Sequence, residues 1–193
     1  MSSETSHSEL KIELFGIGLD TYWSKFEKLP DRLCGYIGSD AQRLERSGVR
    51  VVNLGLIDPE KTFAAGHEFR REDVDLVCTC VTTYALSSIV LSVVGRAKNP
   101  VIILNLSPAN ATDCESFHGL GDRTKMTGEW LAHCQSCLVL EIANAFNRSK
   151  IPFFQVTGRL QEGSGRGVEW GRNRARMRPD DSPRRDQLLR CKY

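Results

Sequence analysis

Five short apolar runs are spaced along the chain, and more polar segments separate them. The runs are nearly continuous and rich in Val, Ile and Leu: Lys11–Gly18, Val49–Ile57, Val74–Val81, Pro100–Pro108 and Ile151–Gly158. A strand with one solvated face would alternate apolar and polar residues, whereas a continuous apolar run is typical of a strand buried on both faces. The pattern therefore predicts five strands of a parallel sheet.

The segments between the runs have helical periodicity. Helices are predicted to begin at Pro30 and at Pro59, because proline fits the first helical turn, and to span Thr83–Lys98 and Thr127–Lys150. Strands that alternate with helices predict an α/β fold with helices on both sheet faces. Right-handed crossovers leave few topologies, and we expect a three-layer αβα, flavodoxin-like, five-stranded parallel sheet in the order 2-1-3-4-5.

Composition separates a globular domain from its two ends. Residues 1–10 are polar and predict a disordered N-terminus, residues 11–158 form the α/β domain, and the Arg/Gly-rich residues 159–193 predict a disordered basic tail. The tail holds nine arginines and one lysine against five acids, so the rest of the chain carries a net charge of −3 within the total of +2. These acids and the scarcity of aromatic residues argue against a nucleic-acid partner.

Targeting signals and membrane spans are not expected. The chain has no apolar run of about 20 residues. The polar, acidic start "MSSETSHSELKIE" lacks the basic and apolar stretches of a signal peptide. We therefore expect a cytoplasmic protein without a membrane partner.

The segment "LAHCQSC", Leu131–Cys137, combines a histidine with a CxxC pair. Such a pair is compatible with a redox dithiol or half of a zinc site. The predicted helix begins two turns earlier, so we interpret Cys134 and Cys137 as reduced thiols on its buried face. His133 projects from another face, early in this helix, and we expect it at the carboxyl edge of the sheet, where α/β domains bind ligands.

Two other segments reach the same edge. Thr82 and Thr83 follow the third predicted strand, and one of them is interpreted as a cap of the next helix. The connection Ser107–Met126 is long for a compact domain, which is often a sign of function. "GIGLDTYW", Gly16–Trp23, lacks the spacing of a nucleotide-binding loop.

Two blocks of the chain resemble a known family. The blocks are "VTTYALSS" and "TGEWLAHCQSC", and the second is followed by "LVLEIANAFNR". Together with the start "LFGIGLDTYWSKFEKLPDRL", they are similar to the N-terminal part of L-arabinose isomerase-like proteins, within the L-fucose and L-arabinose isomerase group. The resemblance covers about residues 11–160. It implies aldose–ketose isomerisation, such as L-arabinose to L-ribulose, in a homo-oligomer with a divalent metal, usually manganese.

The resemblance also implies roles for particular residues. His133 matches a substrate-contacting histidine that serves a neighbouring subunit's sugar pocket, with Gln135 and Tyr22 as further substrate contacts. No catalytic residue and no metal ligand carries over, since the family's ligands lie beyond this domain, and we expect a truncated chain that is inactive alone. The alternative is a non-catalytic, flavodoxin-like binding or assembly module with a basic interaction tail.

Overall fold

A computed structural model describes residues 10–62, 65, 74–95, 99–111 and 113–160. Five strands form its sheet: β1 (Lys11–Ile17), β2 (Arg50–Ile57), β3 (Leu76–Cys80), β4 (Val101–Ser107) and β5 (Phe153–Arg159). Each lies within two residues of its predicted bounds. The expectations of a disordered N-terminus and a basic tail fall almost entirely outside the described residues, and so does most of the helix predicted from Pro59.

The sheet is entirely parallel, in the order β2-β1-β3-β4-β5. The predicted α/β class and strand order are confirmed. β1 and β3 lie in the middle of the sheet, and every residue of β3 is buried. Their carboxyl ends therefore meet near the centre of one sheet edge, where open α/β sheets place their ligands.

Five helices are described. They are α1 (Leu29–Arg46), α2 (Ser87–Val94), α3 (Cys114–Gly119), α4 (Arg123–Leu131) and α5 (Ser136–Arg148). Helix α1 and the end of α4 pack on one sheet face, whereas α2 and α5 pack on the other. These are the three layers that the alternating pattern predicted. No helix in the described part of the chain is long and apolar enough to cross a membrane.

Helix α1 follows its sequence pattern closely. Pro30 lies in its first turn, and the apolar stripe of Leu33, Ile37, Ala41 and Leu44 is buried against the sheet. At Gly16 of β1 the helix comes so close that an added Cβ would lie 2.4 Å from Ile37 Cδ1. Glycine therefore allows α1 to sit directly over the end of β1.

Two helix predictions are wrong at their boundaries. Helix α2 begins at Ser87, not at Thr83, and its N-cap is Leu86, which makes no side-chain capping bond. The segment predicted as one helix from Thr127 to Lys150 is two helices, because residues 132–135 leave the helical path between α4 and α5. The long connection after β4 also holds a short helix, α3.

The break between α4 and α5 has a physical cause in side-chain hydrogen bonds. In a continuous helix the carbonyls of Leu131 and Ala132 would accept from the backbone N–H groups four residues on. Here Thr83 Oγ1 donates to the Leu131 carbonyl at 2.7 Å, and Gln135 Nε2 donates to the Ala132 carbonyl at 2.7 Å. These side chains take over the two carbonyls, and the chain turns at residue 132.

Candidate functional site

The candidate site lies where the loops after β1 and β3 meet the break between α4 and α5. Both threonines after β3 are buried and tie these segments together. Thr82 Oγ1 donates to the Ile17 carbonyl at 2.6 Å, while Thr83 Oγ1 donates to the Leu131 carbonyl. The interpretation of either threonine as a helix cap is therefore wrong, since their hydroxyls bond to other strands and helices.

His133 lies in this break, just after α4, and not early in a helix as the sequence predicted. Its Nδ1 is 2.9 Å from the Glu129 carbonyl, and its ring centroid is 5.5 Å from that of Phe117. A carbonyl only accepts hydrogen bonds, so Nδ1 is the protonated nitrogen, and in the neutral ring Nε2 is an acceptor. Nε2 has no hydrogen-bond partner among the described residues, and 14% of the side chain is exposed.

Glu129 connects His133 to helix α1. Its Oε1 lies 3.6 Å from His133 Nδ1, and its Oε2 accepts from Arg32 Nη1 at 2.6 Å. Arg32 in turn donates through Nε to the Tyr36 hydroxyl at 2.8 Å. The hydrogen bond from Arg32 holds the pKa of Glu129 below its usual value. The carboxylate therefore stays ionised beside the imidazole and fixes the end of α4 to α1.

Tyr22 ends a single 3-10 turn, Asp20–Tyr22, that follows β1. Its ring is half-buried and makes edge contacts with Trp23 and Phe26, both at 6.3 Å between centroids. Burial raises the pKa of its hydroxyl, and the neighbouring Cys134 and Tyr84 raise it further. Tyr22 is thus a neutral phenol close to the loop after β3 and to the break that carries His133.

Gln135 is placed inside the fold, with 2% of its surface exposed. Its Nε2 donates to the carbonyls of Thr82, at 2.9 Å, and Ala132. Its Oε1 is buried and accepts no hydrogen bond from the part of the chain that the structure describes. The amide therefore holds the break between α4 and α5 against the loop after β3. Contact between Gln135 and a substrate stays a prediction, and the burial of the side chain does not favour it.

The two cysteines of the segment do not share a buried helix face. Cys134 is buried, with Sγ 3.3 Å from the Tyr84 backbone nitrogen, and burial raises the pKa of its thiol. Cys137 is exposed. The prediction for Cys137 is wrong because α5 begins only at Ser136, so the two residues do not belong to one helix.

The manganese ion implied by the resemblance finds no donor set in the described residues. No three His, Cys, Asp or Glu side chains come together there in a metal-binding group. Within the described ranges, the imidazole–carboxylate pair of His133 and Glu129 is already engaged with a backbone carbonyl and with Arg32. These residues do not fit a metal site.

Two further polar contacts at this edge could not be predicted from the sequence. Trp23 Nε1 donates to Asp58 Oδ2 at 3.1 Å, and Lys61 Nζ lies 3.3 Å from the same oxygen. The contact joins the loops after β1 and β2, and only the fold brings these residues together. The contact between Glu129 and His133 was easier to predict, because residues four apart in a helical segment lie next to each other.

The chain was compared with models of known protein families and with the curated proteins, and neither comparison finds a match.

Replacing Thr83 with valine is expected to lower the free energy of unfolding by about 1–3 kcal/mol, because the buried Leu131 carbonyl would lose its hydroxyl donor and keep only the weak Cys134 thiol, at 3.4 Å. Urea unfolding followed by circular dichroism measures the change. Thr127→Val is the matched control: its hydroxyl donates within α4 but is exposed, so we expect a change within about 0.5 kcal/mol. Equal effects of the two substitutions would contradict a structural role for Thr83 at the break.

Proposed function

We propose that this chain is the substrate-contacting N-terminal domain of an aldose–ketose isomerase that resembles L-arabinose isomerase. The domain acts in the cytoplasm within a homo-oligomer and presents His133 and Tyr22 to the sugar pocket of a neighbouring subunit. The observation that carries the proposal is the state of His133. Its Nδ1 is held by the Glu129 carbonyl, and its Nε2 has no partner among the described residues at the carboxyl edge of the sheet, so that the neutral ring offers it as an acceptor.

The chemistry that these residues offer is binding and orientation. A neutral imidazole Nε2 accepts a hydrogen bond from a sugar hydroxyl, and the neutral phenol of Tyr22 either donates or accepts one. The fixed Nδ1 contact limits rotation of the ring, so a bound sugar would meet one defined acceptor. Such orientation lowers the barrier of a reaction without participation in bond breaking. The hydrogen shift between C1 and C2 is not assigned to any residue described here.

The second candidate function is a non-catalytic binding or assembly module. Two exposed apolar side chains favour it: Leu140 on α5 is 81% exposed and Trp130 on α4 is 47% exposed. Single exposed apolar residues are common on protein surfaces, so this support is weaker than the constrained acceptor at His133.

A sugar titration separates the two functions. Because the sugar pocket belongs to a neighbouring subunit, the titration uses a complete homo-oligomeric isomerase that carries this domain. In it we expect L-arabinose to shift the His133 imidazole resonance in NMR spectra and the His133→Ala variant to lose the remaining sugar-induced shifts nearby. The variant loses the hydrogen bond to the Glu129 carbonyl and the contact with Phe117, so its free energy of unfolding should fall by about 1 kcal/mol while the domain stays folded. In a complete isomerase fused to this domain, His133→Ala should lower kcat/KM for L-arabinose.

His118→Ala is the matched control, because His118 is an exposed histidine on α3, next to Phe117. It should change neither the sugar-induced shifts nor kcat/KM. The proposal fails if saturating L-arabinose leaves the His133 resonance unmoved, or if the fused enzyme is indifferent to His133→Ala.

A further inference from the structure

A cleft separates the loop before α1 from helix α4. Residues 24–29 and Arg32 line one wall, and Leu120 and residues of α4 line the other, around a cavity of about 460 Å³. A second cavity of about 320 Å³ adjoins it and shares Lys25, Phe26 and Thr124. Small-molecule sites in proteins have volumes of about 300–1,000 Å³. The cleft therefore has the size of a site for a small molecule.

The charge of the cleft is positive. Lys25, Lys28 and Lys125 line it, and none of their side chains has an ion pair or hydrogen bond with another described residue. Arg32 and Glu129 neutralise each other across the cleft at 2.6 Å. Glu27 is then the single acid left against three lysines. Like charges in a concave surface raise the local positive potential and attract anions.

The floor of the cleft is apolar. Phe26 and the buried Leu29 form it together with Ala132. Gly128 lets the Phe26 ring lie against α4, since a Cβ at this position would come within 3.0 Å of Phe26 Cδ1. Thr124 lines both cavities. A ligand with a carbon skeleton and an anionic end would match the apolar floor and the lysines of the cleft.

We propose that this cleft binds a phosphorylated small molecule of about the size of a sugar phosphate. Lys25, Lys28 and Lys125 hold the phosphate, and the carbon skeleton lies on Phe26. Phosphate fits better than carboxylate, because it carries up to two charges and takes several separate donors, whereas planar carboxylates pair best with the arginine fork. His133 does not line the cleft, although its neighbours Glu129 and Ala132 do, so this site adjoins the proposed sugar contact but does not rest on it.

The test is calorimetric titration of the full chain, in phosphate-free buffer, with D-ribose 5-phosphate, inorganic phosphate and D-ribose. We expect both phosphate probes to bind, the sugar phosphate more tightly, and D-ribose to give no heat at this cleft. Lys28→Gln/Lys125→Gln should weaken the binding of D-ribose 5-phosphate by about tenfold or more, since each lost charged contact removes a substantial part of the affinity. Lys25→Gln/Lys125→Gln provides a second variant with the same expectation.

Lys150→Gln is the matched control. Lys150 is an exposed lysine that follows α5, at the opposite edge of the sheet, and its replacement should leave the affinity unchanged. His133→Ala should also leave it unchanged, which distinguishes failure of this site from failure of the proposed sugar contact. The proposal is overturned if neither phosphate probe binds more tightly than about 10 mM, or if folded double variants bind as the unaltered chain does.

Discussion

Replacing Phe146 with alanine is expected to lower the free energy of unfolding by about 3–5 kcal/mol, the usual range for a large aromatic residue in a core. Phe146 is fully buried on α5 and belongs to the apolar cluster that joins α5 to α2 and the sheet. Its ring meets that of Phe153 edge-on, with centroids 5.5 Å apart. The substitution therefore removes apolar surface, leaves a cavity and breaks an aromatic contact. Urea unfolding monitored by circular dichroism measures the loss.

Leu140→Ala is the matched control on the same helix. Leu140 is 81% exposed, so its replacement should change stability by no more than about 0.5 kcal/mol. Together the two variants test which face of α5 packs on the sheet. A loss at Leu140 as large as that at Phe146 would mean that the helix buries a different face.

The sheet was predictable because each strand is a continuous apolar run. In Leu76–Cys80 every residue is buried, so no polar face interrupts the signal in the sequence. Helix α1 was predictable for a related reason, since Leu33, Ile37 and Leu44 recur at helical spacing after a proline. In both cases the buried positions are occupied by apolar side chains, so the pattern of apolar residues in the sequence predicts which positions are buried.

The break between α4 and α5 was not predictable from periodicity. Leu131 and Leu138 keep the apolar rhythm across it, and both are buried. The hydrogen bonds that interrupt the helix come from Thr83, 48 residues away from Leu131, and from Gln135, whose amide also bonds to Thr82, 53 residues away. Such contacts exist only after the chain has folded, so a local pattern does not reveal them.

The candidate site is predictable only in part for the same reason. Resemblance to the isomerases supplied His133, Gln135 and Tyr22, and the fold brings Tyr22 close to the break that carries the other two. The partner that holds Glu129, Arg32, is 97 residues away, and no spacing in the sequence suggested it. The basic cleft likewise combines lysines from the loop before α1 with one from α4, which no single segment displays.

Asp40 is expected to oppose folding at neutral pH. Its side chain faces the sheet from α1 with 2% of its surface exposed, and its Oδ2 accepts from Cys80 Sγ at 3.2 Å. Its Oδ1 has no hydrogen-bond partner among the described residues. Burial raises the pKa of Asp40 to about 6, although the Cys80 thiol and the charge of Arg43 act in the opposite direction.

The direction of the pH effect follows from this raised pKa. The folded chain holds the Asp40 proton up to about pH 6, whereas an unfolded chain releases it near the ordinary value of 3.8. Protonated Asp40 therefore contributes its full stabilisation of the fold below the pKa that it has in the unfolded chain. This stabilisation is lost as the pH rises from about 4 to about 6. A shift of this size corresponds to about 3 kcal/mol of stability.

Asp40→Asn should remove this dependence, because the amide does not ionise. We expect the variant to gain about 3 kcal/mol relative to the unaltered chain between about pH 4 and about pH 7, measured as the difference in urea unfolding free energy. The absolute gain at neutral pH is expected to be smaller, since the buried amide N–H₂ must find acceptors. Asp31→Asn, at an exposed position in the first turn of the same helix, controls for the general effect of losing a carboxylate. The contrary result is a difference in unfolding free energy between the Asp40 variant and the unaltered chain that stays constant from about pH 4 to about pH 7. That result would show that Asp40 is ionised in the folded protein throughout this range. Water or another group would then reach its carboxylate beneath α1.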